Sequence, residues 1–156
     1  MLSVERWHRQ TKHDSKTKKS LPAPIVLTDY TNGVCFVSAA NHDALACGVT
    51  PRMSLADARA LEPNLKIVPA DSRADTSMLE KIAKWTTRYT PWVAICGRDG
   101  LWLDISGCAH LLGGEDAMIK DLTVNLSNFG FTSRFSIADT PGAAWAMAHY
   151  GGEENL

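Results

Sequence analysis

No apolar run in this chain approaches the roughly 18 residues that cross a bilayer, which argues against membrane insertion. The first twenty residues, MLSVERWHRQTKHDSKTKKS, carry scattered charges and no apolar core ahead of a small-residue cleavage site. They do not read as a secretory signal, and the expected compartment is the cytoplasm. There is no CxxC pair: Cys35, Cys47, Cys96 and Cys108 stand apart, and His8, His13, His42, His110 and His149 form no ligand spacing. Zinc sites and disulfide frameworks are therefore unsupported, and the cysteines read as buried or half-buried thiols. Internal repeats and low-complexity tracts are also missing. The double glycine Gly113-Gly114 lacks the Lys-Ser/Thr of a phosphate-cradling loop and reads as a turn into a helix.

What is present is an ordinary globular composition, 45% apolar and 21% charged, over 156 residues, which sets one compact domain or two small lobes as the expectation. Charge is uneven. Residues 1–20 hold Arg6, Arg9, Lys12, Lys16, Lys18 and Lys19 against Glu5 and Asp14, about +4, so that the remainder of a chain of net charge −1 is acidic. These six basic side chains are the candidate phosphate contacts, set against the plainer reading of a solvated terminal arm.

The patterns along the chain alternate between strand and helix. Ile25 to Leu27 and Val34 to Val37 flank Asn32-Gly33, the signature of a β-hairpin. Asn41 is placed to cap a short helix ending at Gly48, and Ser54 with Asp57 to cap another before Pro63. A brief strand is expected at Lys66 to Val68. Leu79, Ile82, Ala83 and Thr86 then share a helical face that Pro91 terminates. Trp92 to Cys96 and Leu101 to Ile105 follow with period two, predicting a second hairpin turning at Asp99-Gly100 with a positive φ at Gly100. Ile119, Leu122, Leu126 and Phe129 predict a helix closing at Gly130, TSRFSIAD a further strand, and Thr140-Pro141 the start of a last helix. Trp85, Trp92, Trp102 and Trp145 read as core or interface residues, and Asp104 as a structural hydrogen-bond acceptor.

Three stretches, SAANHDALACGVTPRMSLADARALEPNLKIVPAD, RYTPWVAICGRDGLWLDISGCAHLLGG and FTSRFSIADTPGAAWAMA, in this order, resemble the Y-family DNA polymerases and within them the ImuB group. The phrases LADARAL, LDISGCAHLLGGE and IADTPGAAWA are the specific part. The resemblance implies an α+β fold: a small, mainly helical fingers lobe with a short hairpin, plus an incomplete antiparallel palm sheet covered by helices. The expected organisation is a basic N-terminal arm or helix at 1–21, a fingers-like lobe at 22–75, a partial palm-like lobe at 76–150 and a tail at 151–156.

Carried onto the chain residue by residue, the resemblance implies a degenerate site. The Asp-Glu pair of the palm hairpin falls on Asp99-Gly100, leaving one carboxylate where two-metal chemistry uses several. The fingers Tyr and Arg that touch the triphosphate fall on His42 and Leu45, and the palm lysine falls on Pro141. The first palm strand, with the remaining metal-binding Asp and the aromatic gate, would precede the start of the chain. No catalytic residue and no cofactor are expected, with at best a weak residual magnesium at Asp99. The implied role is a non-catalytic, truncated adaptor in damage-induced translesion synthesis, with a sliding clamp, a RecA-like protein and an error-prone replicative-type polymerase as partners and primed DNA bound weakly. An open sheet edge left by the absent strand would favour marginal stability or self-association. The competing readings are an active translesion polymerase fragment and a small protein-binding domain with no link to DNA repair.

Overall fold

The structure, a computed structural model, describes residues 2–14 and 23–151, with the side chains of residues 11–14 left aside. The chain divides into two compact units, residues 1–77 and 78–156.

In the first unit, α1 (Leu2–Asp14) is followed by β1 (Ile25–Thr31), β2 (Val34–Ala40), the short helices α2 (His42–Ala46) and α3 (Leu55–Leu61), and β3 (Lys66–Pro69). The predicted hairpin forms. Asn32 and Gly33 both take positive φ, 52° and 78°, the geometry that matches a two-residue turn to strand twist. β1 is also paired in parallel with β3, so it is the central strand of a three-stranded sheet and Ile25 to Thr28 are buried together. This unit thus holds more sheet than the expected short hairpin, because Lys66 to Pro69 return to pair with a strand about forty residues earlier.

A bulge shapes the core. Leu27 pairs with Ala39 and Thr28 with Val37, leaving Ser38 as the extra residue of β2. The shift lets Val37 and Ala40, three residues apart, share the face of Val26. There they pack with Ala44, Val49, Ala58 and Leu65. Asn41 does more than cap α2. Its Oδ1 accepts from Ala44 N and from Ile25 N, both at 2.9 Å, while its Nδ2 donates to Ala23 O at 2.9 Å and Asp43 Oδ2 at 3.2 Å. Ser54 caps α3 as expected, accepting from Asp57 N at 3.1 Å. α1 packs on β1 and β2, and Lys66 Nζ sits 4.7 Å from the Trp7 ring centroid.

α4 (Ser72–Thr86) contains the unit boundary. Beyond it come β4 (Val93–Cys96), β5 (Gly100–Leu103), a 3₁₀ turn (Ala109–Leu112), α5 (Glu115–Asn128) and α6 (Pro141–Tyr150). β4 and β5 form a two-stranded antiparallel sheet. Leu103 and Ile105 pack with Trp85, Phe135 and Ala109 around Tyr89, Met118 and Leu122. The α+β class and an incomplete sheet covered by helices are as expected. The strand predicted at TSRFSIAD does not form: residues 132–139 join no ladder, although Phe135 packs against the core of this unit. A strand exists only where a neighbour supplies hydrogen bonds, and no described residue pairs with this segment.

Two side chains brace this unit. Thr90, fully buried, donates its hydroxyl to Asp104 O at 2.5 Å and accepts from Trp92 N at 3.2 Å, tying the chain entering β4 to the chain leaving β5. Tyr89 donates its hydroxyl to Asp121 Oδ2, joining the turn after α4 to α5. Burial, then the hydrogen bond to Asp121 and its charge, push the Tyr89 phenol up to about 12. No helix among the described residues is long and apolar enough to cross a membrane.

Asn41→Ala is expected to cost about 2–4 kcal/mol in urea unfolding, because it removes a cap and strands Ile25 N and Ala23 O. Asn41→Ser, which keeps only the cap, should recover little of it. Because the folded-state pKa of Tyr89 lies above the unfolded value, its contribution is fully present below pH 10. It is lost as pH rises from 10 through about 12. Tyr89→Phe should flatten stability across that window while leaving the profile at lower pH parallel to the parent.

Candidate functional site

The hairpin β4–β5 was expected to turn on Asp99-Gly100. It turns instead on Gly97, Arg98 and Asp99: Cys96 pairs with Gly100, and the positive φ, 64°, belongs to Gly97. Gly100 is therefore the first residue of β5, and no left-handed backbone accounts for a glycine there. Crowding does. A Cβ built on Gly100 would lie 2.9 Å from Cys96 O and 3.4 Å from Cys96 Cβ, so the backbone would have to move to admit any side chain.

Asp99 sits exposed in the turn. The other carboxylate of this hairpin, Asp104, follows β5 at its far end, five residues on and roughly 17 Å away at strand spacing. Its Oδ1 accepts from Ser106 N at 2.9 Å, and the hydrogen bonds from Ser106 hold its carboxyl below the usual range. Asp104 is thus a local acceptor within its own turn. Bound divalent cations need oxygen ligands converging within about 2.6 Å of one point, and these two carboxylates cannot share an ion. Among the described residues, no three of His, Cys, Asp and Glu come together to hold a metal. The donor set of this hairpin does not fit a two-metal centre.

The other predicted positions are divided between the two units. His42 opens α2 and Leu45 lies three residues on, both exposed in the first unit. Pro141 begins α6 in the second unit, behind Thr140, whose hydroxyl accepts from Ala143 N at 3.3 Å. Pro141 there offers neither charge nor an N–H, and serves as the first residue of a helix.

The basic arm is corrected at Arg6. Only 4% exposed, it donates from Nε to Asp75 Oδ1 at the start of α4 and from Nη1 to Gln10 Oε1 at 2.9 Å. It is an internal tie with its donors turned inward, and so does not serve as a phosphate contact. Arg9 is exposed on α1, while the Lys12 side chain and Lys16, Lys18 and Lys19 lie outside the described residues. Sequence reading missed the Arg6–Asp75 and Tyr89–Asp121 partnerships, since pairs separated by 69 and 32 residues leave no local pattern.

Comparison with known proteins places this geometry. The impB/mucB/samB family (IMS) matches residues 14–149. The protein ImuB of Caulobacter vibrioides is 49% identical over 104 residues, covering 67% of this chain and 23% of its own length. DNA polymerase IV of Alkaliphilus oremlandii is 33% identical over 99 residues, covering 61% of this chain and 25% of its own. Among solved structures, DinB from Sulfolobus solfataricus aligns with a TM-score of 0.76 at 16% identity, over 99% of this chain and 45% of that one, a likeness of fold. The chain spans about a quarter of the length of the curated relatives it matches.

Gly100→Glu should not rebuild a carboxylate pair. It is expected to destabilise the protein by about 1–3 kcal/mol in a urea titration, and Gly100→Ala, which brings the same Cβ, by a similar amount. Full stability of the glutamate variant would show that the position is open.

Proposed function

The chain belongs to the impB/mucB/samB family, and on that footing we propose that it is a non-catalytic, polymerase-like adaptor in DNA damage-induced translesion synthesis. It is an ImuB-type homologue of the Y-family DNA polymerases, corresponding to part of their fingers and palm. The observation that carries the non-catalytic reading is Gly100. By resemblance it occupies the place of the second palm carboxylate, and the carbonyl of Cys96 closes the space a side chain would need.

The remaining vestigial positions support it. Nucleotidyl transfer is mainly a matter of positioning and charge neutralisation around a triphosphate. Leu45 cannot neutralise a phosphate, and His42 replaces an aromatic hydroxyl contact. Pro141 replaces an ammonium with a side chain that has neither charge nor donor. Asp99 is read as a relic, with no metal and no cofactor assigned to the chain.

An adaptor needs surfaces in place of chemistry. The partners proposed are those of the ImuB group: an error-prone replicative-type polymerase, a sliding clamp and a RecA-like accessory protein, meeting in the cytoplasm on primed DNA that this chain itself binds weakly. The proposed organisation keeps the arm at 1–21, the fingers-like lobe at 22–75, the palm-like lobe at 76–150 and the tail at 151–156.

The test joins two assays. Primer extension with magnesium or manganese should give no nucleotide incorporation. Calorimetric titration of a deoxynucleoside triphosphate with either metal should give no saturable heat, for the parent or for Asp99→Ala. Incorporation, or saturable heat abolished by Asp99→Ala, would overturn the non-catalytic reading.

A further inference from the structure

Among the described residues, two that are not glycine hold a positive φ: Asn32, at 52°, and Arg52, at 73°. Asn32 needs no special account, since asparagine tolerates the left-handed region and the hairpin turn demands it. Arg52 is different. It is the third residue of the turn Thr50-Pro51-Arg52-Met53, closed by Met53 N donating to Thr50 O at 3.2 Å. With proline second and a left-handed residue third, this turn class calls for glycine at the third place. Arginine pays conformational energy there for nothing the backbone requires.

The conformation is over-determined by its surroundings. Arg52 N donates to Val37 O at 2.7 Å, Val37 N donates to Met53 O at 2.9 Å, and Phe36 bridges to Ser54. Val37 is fully buried in the core of the first unit. The turn is therefore riveted to the middle of β2, and the exposed Arg52 side chain is presented from a rigid base. Its guanidinium makes no hydrogen bond or ion pair with any described residue, so nothing inside the described chain accounts for the choice of arginine.

We propose that Arg52 is a phosphate-contacting residue, held by this turn to engage the backbone of bound DNA. A planar guanidinium offers paired N–H donors that match the oxygens of a phosphodiester. A turn bonded to a core strand removes part of the ordering cost that a mobile side chain would bring to binding. The proposal rests on the reading of the chain as a DNA-associated, polymerase-like protein, on which the oxyanion in reach is the nucleic-acid backbone. It adds to that reading a specific contact on the fingers-like lobe, outside the vestigial catalytic positions.

The experiment is fluorescence anisotropy with a labelled primer–template at several salt concentrations, for the full chain and for Arg52→Gly, Arg52→Asn and Arg52→Lys, alongside thermal melting. Arg52→Gly and Arg52→Asn should weaken binding about threefold or more near 100 mM salt and reduce the slope of log affinity against log salt by about one. Arg52→Lys should keep that slope. Arg52→Gly should also melt a few degrees higher, since it relieves the turn. Parent-like DNA affinity and slope in the glycine and asparagine variants would overturn the proposal while leaving the adaptor reading intact, and would point to a carboxylate on a protein partner instead. Absence of any salt-sensitive DNA binding by the parent would overturn both the contact and the DNA-associated part of that reading.

Discussion

The carboxamide of Asn41 is bonded on every side, and the first unit is organised around it. One oxygen receives the first N–H of the central strand and an N–H of α2, while the nitrogen reaches the carbonyl of Ala23 and the carboxylate of Asp43. The main chain adds a further link, Asn41 N to Ile25 O at 3.0 Å. A buried amide with these partners leaves little freedom in where β1 begins, where β2 ends and how α2 departs. Val26, Val37, Ala40 and Ala44 can then meet as one cluster, because the segments that carry them start from a common point. The bulge at Ser38 and the turn at 50–53 complete the packing within that frame.

That frame was partly legible. Asn32-Gly33, the caps at Asn41, Ser54 and Thr140, and the helix stops all depend on residues within a few positions of one another, so local chemistry announces them. The hairpin at 97–99 was misread because Asp99-Gly100 is a good turn pair on its own. The competing glycine at 97 wins once Cys96 and Gly100 are in register. TSRFSIAD shows the complementary limit. Phe135 packs inward from its middle, but pairing depends on a neighbour elsewhere in the chain. Arg6 was read by its charge, whereas its burial follows from Asp75, which sequence spacing does not connect to it.

The candidate site separates in the same way. The identities at Asp99, Gly100, His42, Leu45 and Pro141 could be read directly, and so could the chemistry those side chains lack. The structure adds that Gly100 is crowded by Cys96 and that Asp104 is committed to Ser106. That crowding makes replacement of Gly100 by any side chain costly. The fold likeness to DinB persists at low sequence identity.

The parallel pairing of β1 with β3 carries a consequence for how the protein is made. β1 meets β2 across a two-residue turn, an event of about 1–10 microseconds, whereas its other edge waits for a strand about forty residues further along. β2 ends at Ala40 and β3 at Pro69, so at about 5–20 residues per second on the ribosome the completed hairpin waits roughly 1.5 to 6 seconds. During that wait, a buried-type strand, Ile25-Val26-Leu27-Thr28, is hydrogen-bonded on one side only, with its second edge open to any neighbouring chain.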